Sequence, residues 1–474
     1  MGSALSRREF LKGSAAVALG GSLLGESFLL ESASAAPRTP PRTFGSRAGR
    51  RAPSCIVVGS GLAGLAAAYK LRQAGWEVTV LEASNRIGGR VFSHRMPQNP
   101  ALVCELGAEW VGEHHHRLRA LCRSFNIGLQ DHRFNEDLLR NGRVTAADDW
   151  DLSPAALKAY ERFEKAYSSK SPRQLARLDR YDWWTWLRKM GYSEDDLRLT
   201  DLIDSTDFGE SIRHVSALVA TEEYFRSNET SECDYKIVGG NSRLCLEMAR
   251  RIGMSSIHLK MPVQEINQRG SQVYVRSGER RWNADACICT VPTRTLNKIQ
   301  FDPPLPAAQS LAADQLQYAR IVKSSVLYSE RFWKREDYAL ISDLTSHYYF
   351  HSTKNQKGKE GILTSYTIGD KADVLAAQGD LRRRELITRD LVAVNPRAPQ
   401  LARAIASYAW QRDPYTQGSY AVYRPGQWTT LRPRLHQPHR RVLFAGEHLS
   451  EDWQGFMEGA VLTGEAAAKQ LTGK

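Results

Sequence analysis

Cysteine is scarce in this chain, with seven in 474 residues, and no two share a CxxC spacing. That excludes a disulfide-stapled scaffold and a zinc ribbon. Most of the seven (Cys55, Cys104, Cys122, Cys233, Cys245, Cys287, Cys289) sit in apolar runs, which marks them as core residues. HExxH and GxSxG are both missing, so neither a zinc-protease helix nor a nucleophile elbow is expected. His114, His115 and His116 are consecutive, and consecutive side chains seldom converge on one ion, so no metal is expected. Long apolar runs are missing too. The stretch from Ala15 to Leu30 is broken by Gly20, Gly21, Gly25 and Glu26, which argues against a permanent membrane span. What is present is enough apolar and aromatic material for a large core, including 11 Trp, 18 Tyr and 14 Phe. Wholesale disorder is thereby excluded.

The net charge is +13, and its location matters. Residues 1–36 balance to zero. Residues 37–53 hold five arginines and no acid, which leaves +8 for the rest of the chain. That is a weak case for nucleic acid, and no nucleic-acid partner is expected. Ser6-Arg7-Arg8-Glu9-Phe10-Leu11-Lys12, followed by the apolar stretch and Ala33-Ser34-Ala35, resembles a bacterial twin-arginine export signal. Residues 1–36 are therefore expected to be a signal peptide. The mature protein is expected in a periplasm, a thylakoid lumen or outside the cell. Residues 37–53 read as a basic Pro/Arg-rich linker, with peripheral contact to anionic membrane as its minor reading.

The folded body opens on chemistry. Cys55-Ile56-Val57-Val58 is a short apolar run and reads as a buried strand. Gly59-Ser60-Gly61-Leu62-Ala63-Gly64 follows, then a helix-forming stretch to Ala74, then a second strand ending at Glu82. In such a unit Gly59 makes the turn, Gly61 admits a pyrophosphate, and Gly64 lets the helix pack closely. The helix N-terminus offers free N–H groups to phosphate, and Glu82 can accept from ribose hydroxyls. A second glycine turn comes at once, Arg86-Ile87-Gly88-Gly89-Arg90, just after Ala83. It can add backbone N–H groups and two cations.

This second turn resembles the Gly-Gly doublet of flavin enzymes. The likeness continues along the chain and points to the flavin-containing amine oxidase family, in its monoamine-oxidase-like branch. Gly107-Ala108-Glu109-Trp110 resembles the family's stretch beside the flavin, and Pro262-Val263-Gln264 its adenine-side strand. Phe444-Ala445-Gly446-Glu447-His448 and Gln454-Gly455-Phe456-Met457 resemble its C-terminal segments. The resemblance implies an α/β (α+β) two-domain fold. A Rossmann-like FAD-binding domain, discontinuous in sequence, would comprise 54–132, 236–300 and 405–474. A mixed-sheet plus helical substrate domain would comprise 133–235 and 301–404. Residues 318–368 alternate apolar and polar like antiparallel strands, and 154–230 carry helical periodicity.

The resemblance also implies roles. Lys323 matches the lysine that holds a water near flavin N5. Tyr420 and Phe456 match the two aromatic walls that steer an amine, with Phe456 standing where monoamine oxidases have a second Tyr. Trp410 resembles a tryptophan near the flavin. Ser419 stands where monoamine oxidases carry the cysteine bonded to the cofactor, so FAD is expected to be non-covalent. The implied reaction oxidises a C–N bond by hydride transfer to flavin N5, and water then hydrolyses the imine. Oxygen would be reduced to hydrogen peroxide. The alternative is an L-amino-acid oxidase or dehydrogenase, with oxygen, a quinone or a cytochrome as acceptor. It needs a cation for the substrate carboxylate, and the place two after Arg90 is Phe92. Arg95 and Arg226 are the substitutes the sequence offers. A small-molecule amine or amino acid is the expected partner, and a monomer or homodimer the expected state.

Overall fold

The apolar run after the linker forms the strand Ser54–Val58, which is the centre of a five-stranded sheet. The order is Val442–Phe444, Ala286–Cys289, Ser54–Val58, Glu77–Leu81 and Ile257–His258, and every pairing is parallel. The protein is described here by a computed structural model covering residues 51–167, 169–226 and 233–473. The proposed signal and the linker up to residue 50 lie outside the described residues. Sheet strands drawn from four distant stretches make this half discontinuous in sequence.

The helices Leu62–Gln73 and Met457–Thr472 pack against each other, and both contribute to the core around this sheet. Gly64 sets the closeness of the first. A Cβ at Gly64 would stand 2.0 Å from the Gly59 carbonyl oxygen, so the turn and the helix cannot both keep their places with a larger residue. The cysteines Cys55, Cys287 and Cys289 are buried on adjacent strands, and Cys104, Cys122 and Cys245 are also buried. Cys233 departs from the core expectation: it is exposed and lines the cavity described below. Its neighbours Glu232 and Asp234 are charged, so no apolar run holds it inside.

The second half is a seven-stranded mixed sheet. Its order is Ala402–Ala409, Ile321–Tyr328, Gly361–Ile368, Tyr348–His351, Tyr338–Ser342, Asn135–Arg140 and Arg143–Thr145. All pairs are antiparallel except Tyr338–Ser342 with Asn135–Arg140. The alternation in 318–368 suggests one wet face, but the four strands of that region are buried throughout. Their polar residues bond across the sheet or to its connecting turn instead, as Ser325 does with Thr364 at 2.8 Å and Ser365 with Ser346 at 2.6 Å. Helices Gly369–Ala376 and Asp380–Asp390 cover one face. The block Pro154–Arg226 packs on the other, with Trp183, Leu197 and Phe208 against Ile321, Ile341 and Tyr366. Asp182 caps the helix Trp183–Met190 by accepting from the Thr185 N–H at 2.7 Å.

Three sequence boundaries fall inside strands. The 235/236 boundary cuts Tyr235–Ile237, which pairs with Leu129–Asp131. The 404/405 boundary cuts Ala402–Ala409, which pairs along its length with Ile321–Tyr328. The 300/301 boundary cuts Gln300–Asp302, which pairs with Glu265–Arg269. Backbone pairing keeps each strand whole, so these segment ends move by a few residues. No helix among the described residues is long and apolar enough to cross a membrane.

A Gly64→Ala substitution is expected to cost about 1–3 kcal/mol, the usual penalty for overpacking. Thermal melting together with the bound-flavin ratio would check this: both should fall, because the displaced turn is also part of the cofactor cradle.

Candidate active site

The C-terminal ends of the parallel strands open onto a cavity of about 1400 Å³, whose other wall is the mixed sheet and the helical block. Of the residues expected to hold the cofactor, all line this cavity except Gly64 and Arg86. Gly64 acts from behind, through packing. Arg86 is turned away: its guanidinium lies 4.2 Å from the Phe92 ring centroid and donates to the Val91 carbonyl at 3.2 Å. The aromatic face captures a cation that the sequence pattern assigns to phosphate.

The two glycine turns abut. The Gly88 N–H donates to the Ser60 carbonyl at 2.9 Å. A Cβ at Gly61 would meet only Gly89 Cα within 4 Å, so this edge of the cradle is open. No side chain caps the helix that starts at Leu62, which leaves its first N–H groups for a phosphate. Glu82 accepts from the Ser60 N–H and hydroxyl, both at 2.8 Å, and from the Ser84 N–H at 2.8 Å. It thereby fixes the first turn while lining the cavity. On the far side Arg90 binds Glu447 at 2.5 Å and the Ser419 carbonyl at 2.8 Å. Glu447 also accepts from the Gly455 N–H at 2.9 Å. An extended dinucleotide fits this arrangement of glycine turns, free helix N-terminus and C-terminal strand end.

Lys323 is buried, not solvent-facing. Its ammonium donates to the Glu109 carboxylate at 2.7 Å and to the Gly107 carbonyl at 3.0 Å. The other oxygen of Glu109 accepts from Lys236 at 3.1 Å and lies 2.9 Å from His132 Nε2. Glu105 lies 3.8 Å from Lys236. Two carboxyl groups and two lysines therefore meet in one buried cluster, where burial pushes Glu105 above its ordinary range despite Lys236. Burial alone would raise Glu109, but the two lysines and His132 override it and hold the carboxylate well below its ordinary range. Burial would likewise depress Lys236, yet Glu109 and Glu105 keep it raised. Burial pushes His132 down to about 4, so it is neutral near pH 7.

Tyr420, Phe456 and Trp410 all line the same cavity. The Tyr420 hydroxyl lies 2.9 Å from the Tyr366 hydroxyl and donates to the Asp207 carbonyl at 2.9 Å. Gly209, at φ +68° where the helix Glu194–Phe208 ends, is the only residue type that fits there: a Cβ would stand 2.8 Å from that hydroxyl. Burial pushes both phenols above their ordinary values, so they stay neutral. Phe456 packs edge-on to His115, with ring centroids 5.4 Å apart, which gives the middle histidine of the triplet a packing role. Trp410 donates to the Leu106 carbonyl at 2.8 Å and pins the stretch leading to Glu109. Arg95 donates to the Pro100 carbonyl at 3.0 Å and does not line the cavity. The side chain of Arg226 lies outside the described residues.

Sequence reasoning missed Lys236, Glu105 and His132. The signal was present for Lys236, since a lysine inside Tyr235-Lys236-Ile237-Val238 is as costly to bury alone as Lys323.

The fold and the cavity fit a cofactor-binding enzyme, with a dinucleotide cradle on one side and a chamber lined by the mixed sheet and the helical block on the other. The chain belongs to the flavin-containing amine oxidoreductase family, whose model matches residues 62–472. It is a flavin-dependent oxidoreductase acting on C–N bonds, and its cofactor is FAD. It is 24% identical over 452 residues to the L-amino acid dehydrogenase of Synechocystis sp., covering 88% of this chain and 94% of that protein. It is 27% identical over 457 residues to amine oxidase [flavin-containing] B of Bos taurus, covering 88% and 85%. Among solved structures it resembles the cyclohexylamine oxidase of Brevibacterium oxydans, with a TM-score of 0.80 and 25% identity, covering 89% and 99%.

Replacing Lys236 by Met leaves two buried carboxylates with one ammonium, and should destabilise the fold by about 3–5 kcal/mol. Denaturant unfolding checks this. A pH effect follows from His132. The unfolded chain takes a proton near pH 6.5, the native chain only near 4. Between these values the unfolded state binds more protons, so stability falls as pH drops from about 6.5 towards 4. His115, His347, His351 and His448 are depressed in the same direction, so His132→Gln should reduce, not abolish, the slope of a melting-temperature profile there.

Proposed function

We propose that this protein is an exported amine oxidase that holds FAD non-covalently and converts an amine to a carbonyl compound. The observation that carries the reading is the placement of Lys323. It is a buried ammonium on the cavity wall, fixed by Glu109 and Gly107, in the same cavity as Tyr420 and Phe456. Bound FAD supplies the two-electron acceptance. The residues do the rest. Tyr420, anchored at its hydroxyl by Tyr366 and Asp207, presents a rigid face to the substrate nitrogen. Phe456 supplies a second ring without a hydroxyl. Lys323 keeps a fixed positive charge and a proton donor beside the reaction, which disfavours a protonated amine there and stabilises anionic oxygen species during reoxidation. Water hydrolyses the released imine, so amine, oxygen and water give carbonyl compound, ammonia or a smaller amine, and hydrogen peroxide.

Serine at 419 supports non-covalent binding, because a serine cannot form the thioether that a cysteine can. The Arg7-Arg8 signature supports export, and the arginines of residues 37–50 suit a weak contact with anionic lipid. Similarity to the Synechocystis L-amino acid dehydrogenase favours a second reading, amino-acid oxidation with a quinone or cytochrome as acceptor. Against it, Arg133, Lys323 and Lys354, described cations lining the cavity beyond the cradle, are each already engaged by a carboxylate, Asp131 or Glu109.

Anaerobic mixing with amines and L-amino acids, followed by air, tests the reading. Amines should bleach the flavin and L-amino acids should not; the reverse would establish the second reading. In Lys323→Met, recovery in air should slow by roughly tenfold or more, while bleaching is affected less.

A further inference from the structure

The end of the cofactor half that lies opposite the cavity is basic. Helices Leu62–Gln73 and Met457–Thr472 both start at the cavity, which Leu62, Ala63, Met457 and Ala460 line. They run away from it side by side, with Gly464 so close to Ala63 that a Cβ would stand 2.1 Å from its carbonyl oxygen. Helix Ser242–Ile252 starts beside the second glycine turn, where a Cβ at Gly88 would stand 3.7 Å from Cys245, and packs on Leu62–Gln73. Helix His116–Ser124 joins them at its far end. Phe125, just past that end, meets Tyr69 edge-on with ring centroids 5.4 Å apart, and the Arg251 guanidinium lies 4.1 Å from the centroid of Phe125. Four helix C-termini therefore share one pole.

Their last turns carry Lys70, Arg72, Arg123, Arg250, Arg251 and Lys469. All are exposed except the half-buried Lys70. The last two turns of the four helices hold one acid, Glu247, which pairs with Arg250 and Arg251. Helix dipoles favour cations at such ends. A dipole gives no reason for what enters the fold beside them. Arg51 pairs with Glu77 at 3.1 Å, and the Glu77 N–H donates to the Pro53 carbonyl at 2.9 Å, so the chain arrives next to the end of the first helix. Residues 37–50, just before it, add Arg38, Arg42, Arg47 and Arg50 and no acid. Apolar side chains stand among the cations as well. Leu246, one turn before Arg250, is 41% exposed, and Met254, one turn after it, is 53% exposed. Cations mixed with exposed apolar side chains suit a surface that lies on anionic lipid headgroups.

We propose that this pole docks on an anionic membrane surface, with the helix-end cations on the lipid phosphates and the cavity end of the sheet pointing away from the bilayer. The proposal takes up the lipid contact of residues 37–50 and adds the folded surface that shares it and the orientation that results. Four helix ends and the entering chain spread their charge over a broad face, which matches a membrane better than a single acidic segment. An acidic protein would meet the charge but would give Leu246 and Met254 nothing to enter. The substrate and the reaction play no part in the argument.

The holoenzyme carrying residues 37–50 is sedimented with vesicles of equimolar phosphatidylcholine and phosphatidylglycerol, and with vesicles of phosphatidylcholine alone. Polyglutamate serves as the acidic-protein probe. Binding to the mixed vesicles should be roughly tenfold or more tighter than to the neutral ones, and should fall with salt. Arg72→Gln with Arg123→Gln should weaken it by roughly tenfold, with flavin content and melting temperature unchanged. Arg382→Gln with Arg389→Gln, on the helix Asp380–Asp390 of the other half, should change it by less than about twofold. Replacing Arg38, Arg42, Arg47 and Arg50 together by Gln should weaken binding without abolishing it. Hydrogen exchange on the mixed vesicles should slow at 69–76, 123–127 and 250–256, and not at 318–368. If the Arg72/Arg123 pair has no effect while the four linker substitutions abolish binding, the pole is overturned and the linker contact stands. No preference for anionic vesicles overturns both. Tighter binding to polyglutamate than to vesicles at equal charge overturns the lipid surface in favour of an acidic protein, and slowed exchange at 318–368 overturns the orientation. Every one of these outcomes leaves the amine-oxidase reading to its own test by flavin bleaching.

Discussion

The buried carboxylate of Glu109 is the constraint on which the site depends. One oxygen takes Lys323, and the other takes Lys236 and faces His132. These residues come from separate parts of the chain: the stretch after the glycine turns, the segment re-entering the cofactor half, and the first strand of the region 318–368. An isolated charge in this interior would carry a desolvation cost of several kcal/mol. The cost is tolerable only if all of them arrive together. The cluster therefore couples the two halves of the molecule. Lys323 can stand on the cavity wall only when the cradle-side residues Gly107 and Glu109 are in place.

A parallel coupling operates at the other edge of the cavity. Arg90, from the second glycine turn, binds Glu447 near the C-terminus and the carbonyl of Ser419. Glu447 in turn holds the N–H of Gly455, just before Phe456. The cradle and the aromatic wall are thus parts of one hydrogen-bonded frame. The start of the helix at Leu62 carries no side-chain cap and faces the cradle. Unmet donors persist where a ligand is meant to meet them.

Much of this was legible in the sequence because it depends on local rules. A strand, two glycine turns, an acid and a helix must be neighbours in the chain to work, so Gly59 to Arg90 reads directly. Lys323 and Tyr420 were readable only through family resemblance, since nothing local says what they face. The mixed sheet was legible as strands but not in its burial. Ser325, Ser346, Thr364 and Ser365 look like solvent positions until cross-strand partners are known. Arg86 misled for a similar reason: the pattern shows a cation near the glycines but not the ring of Phe92 that takes it.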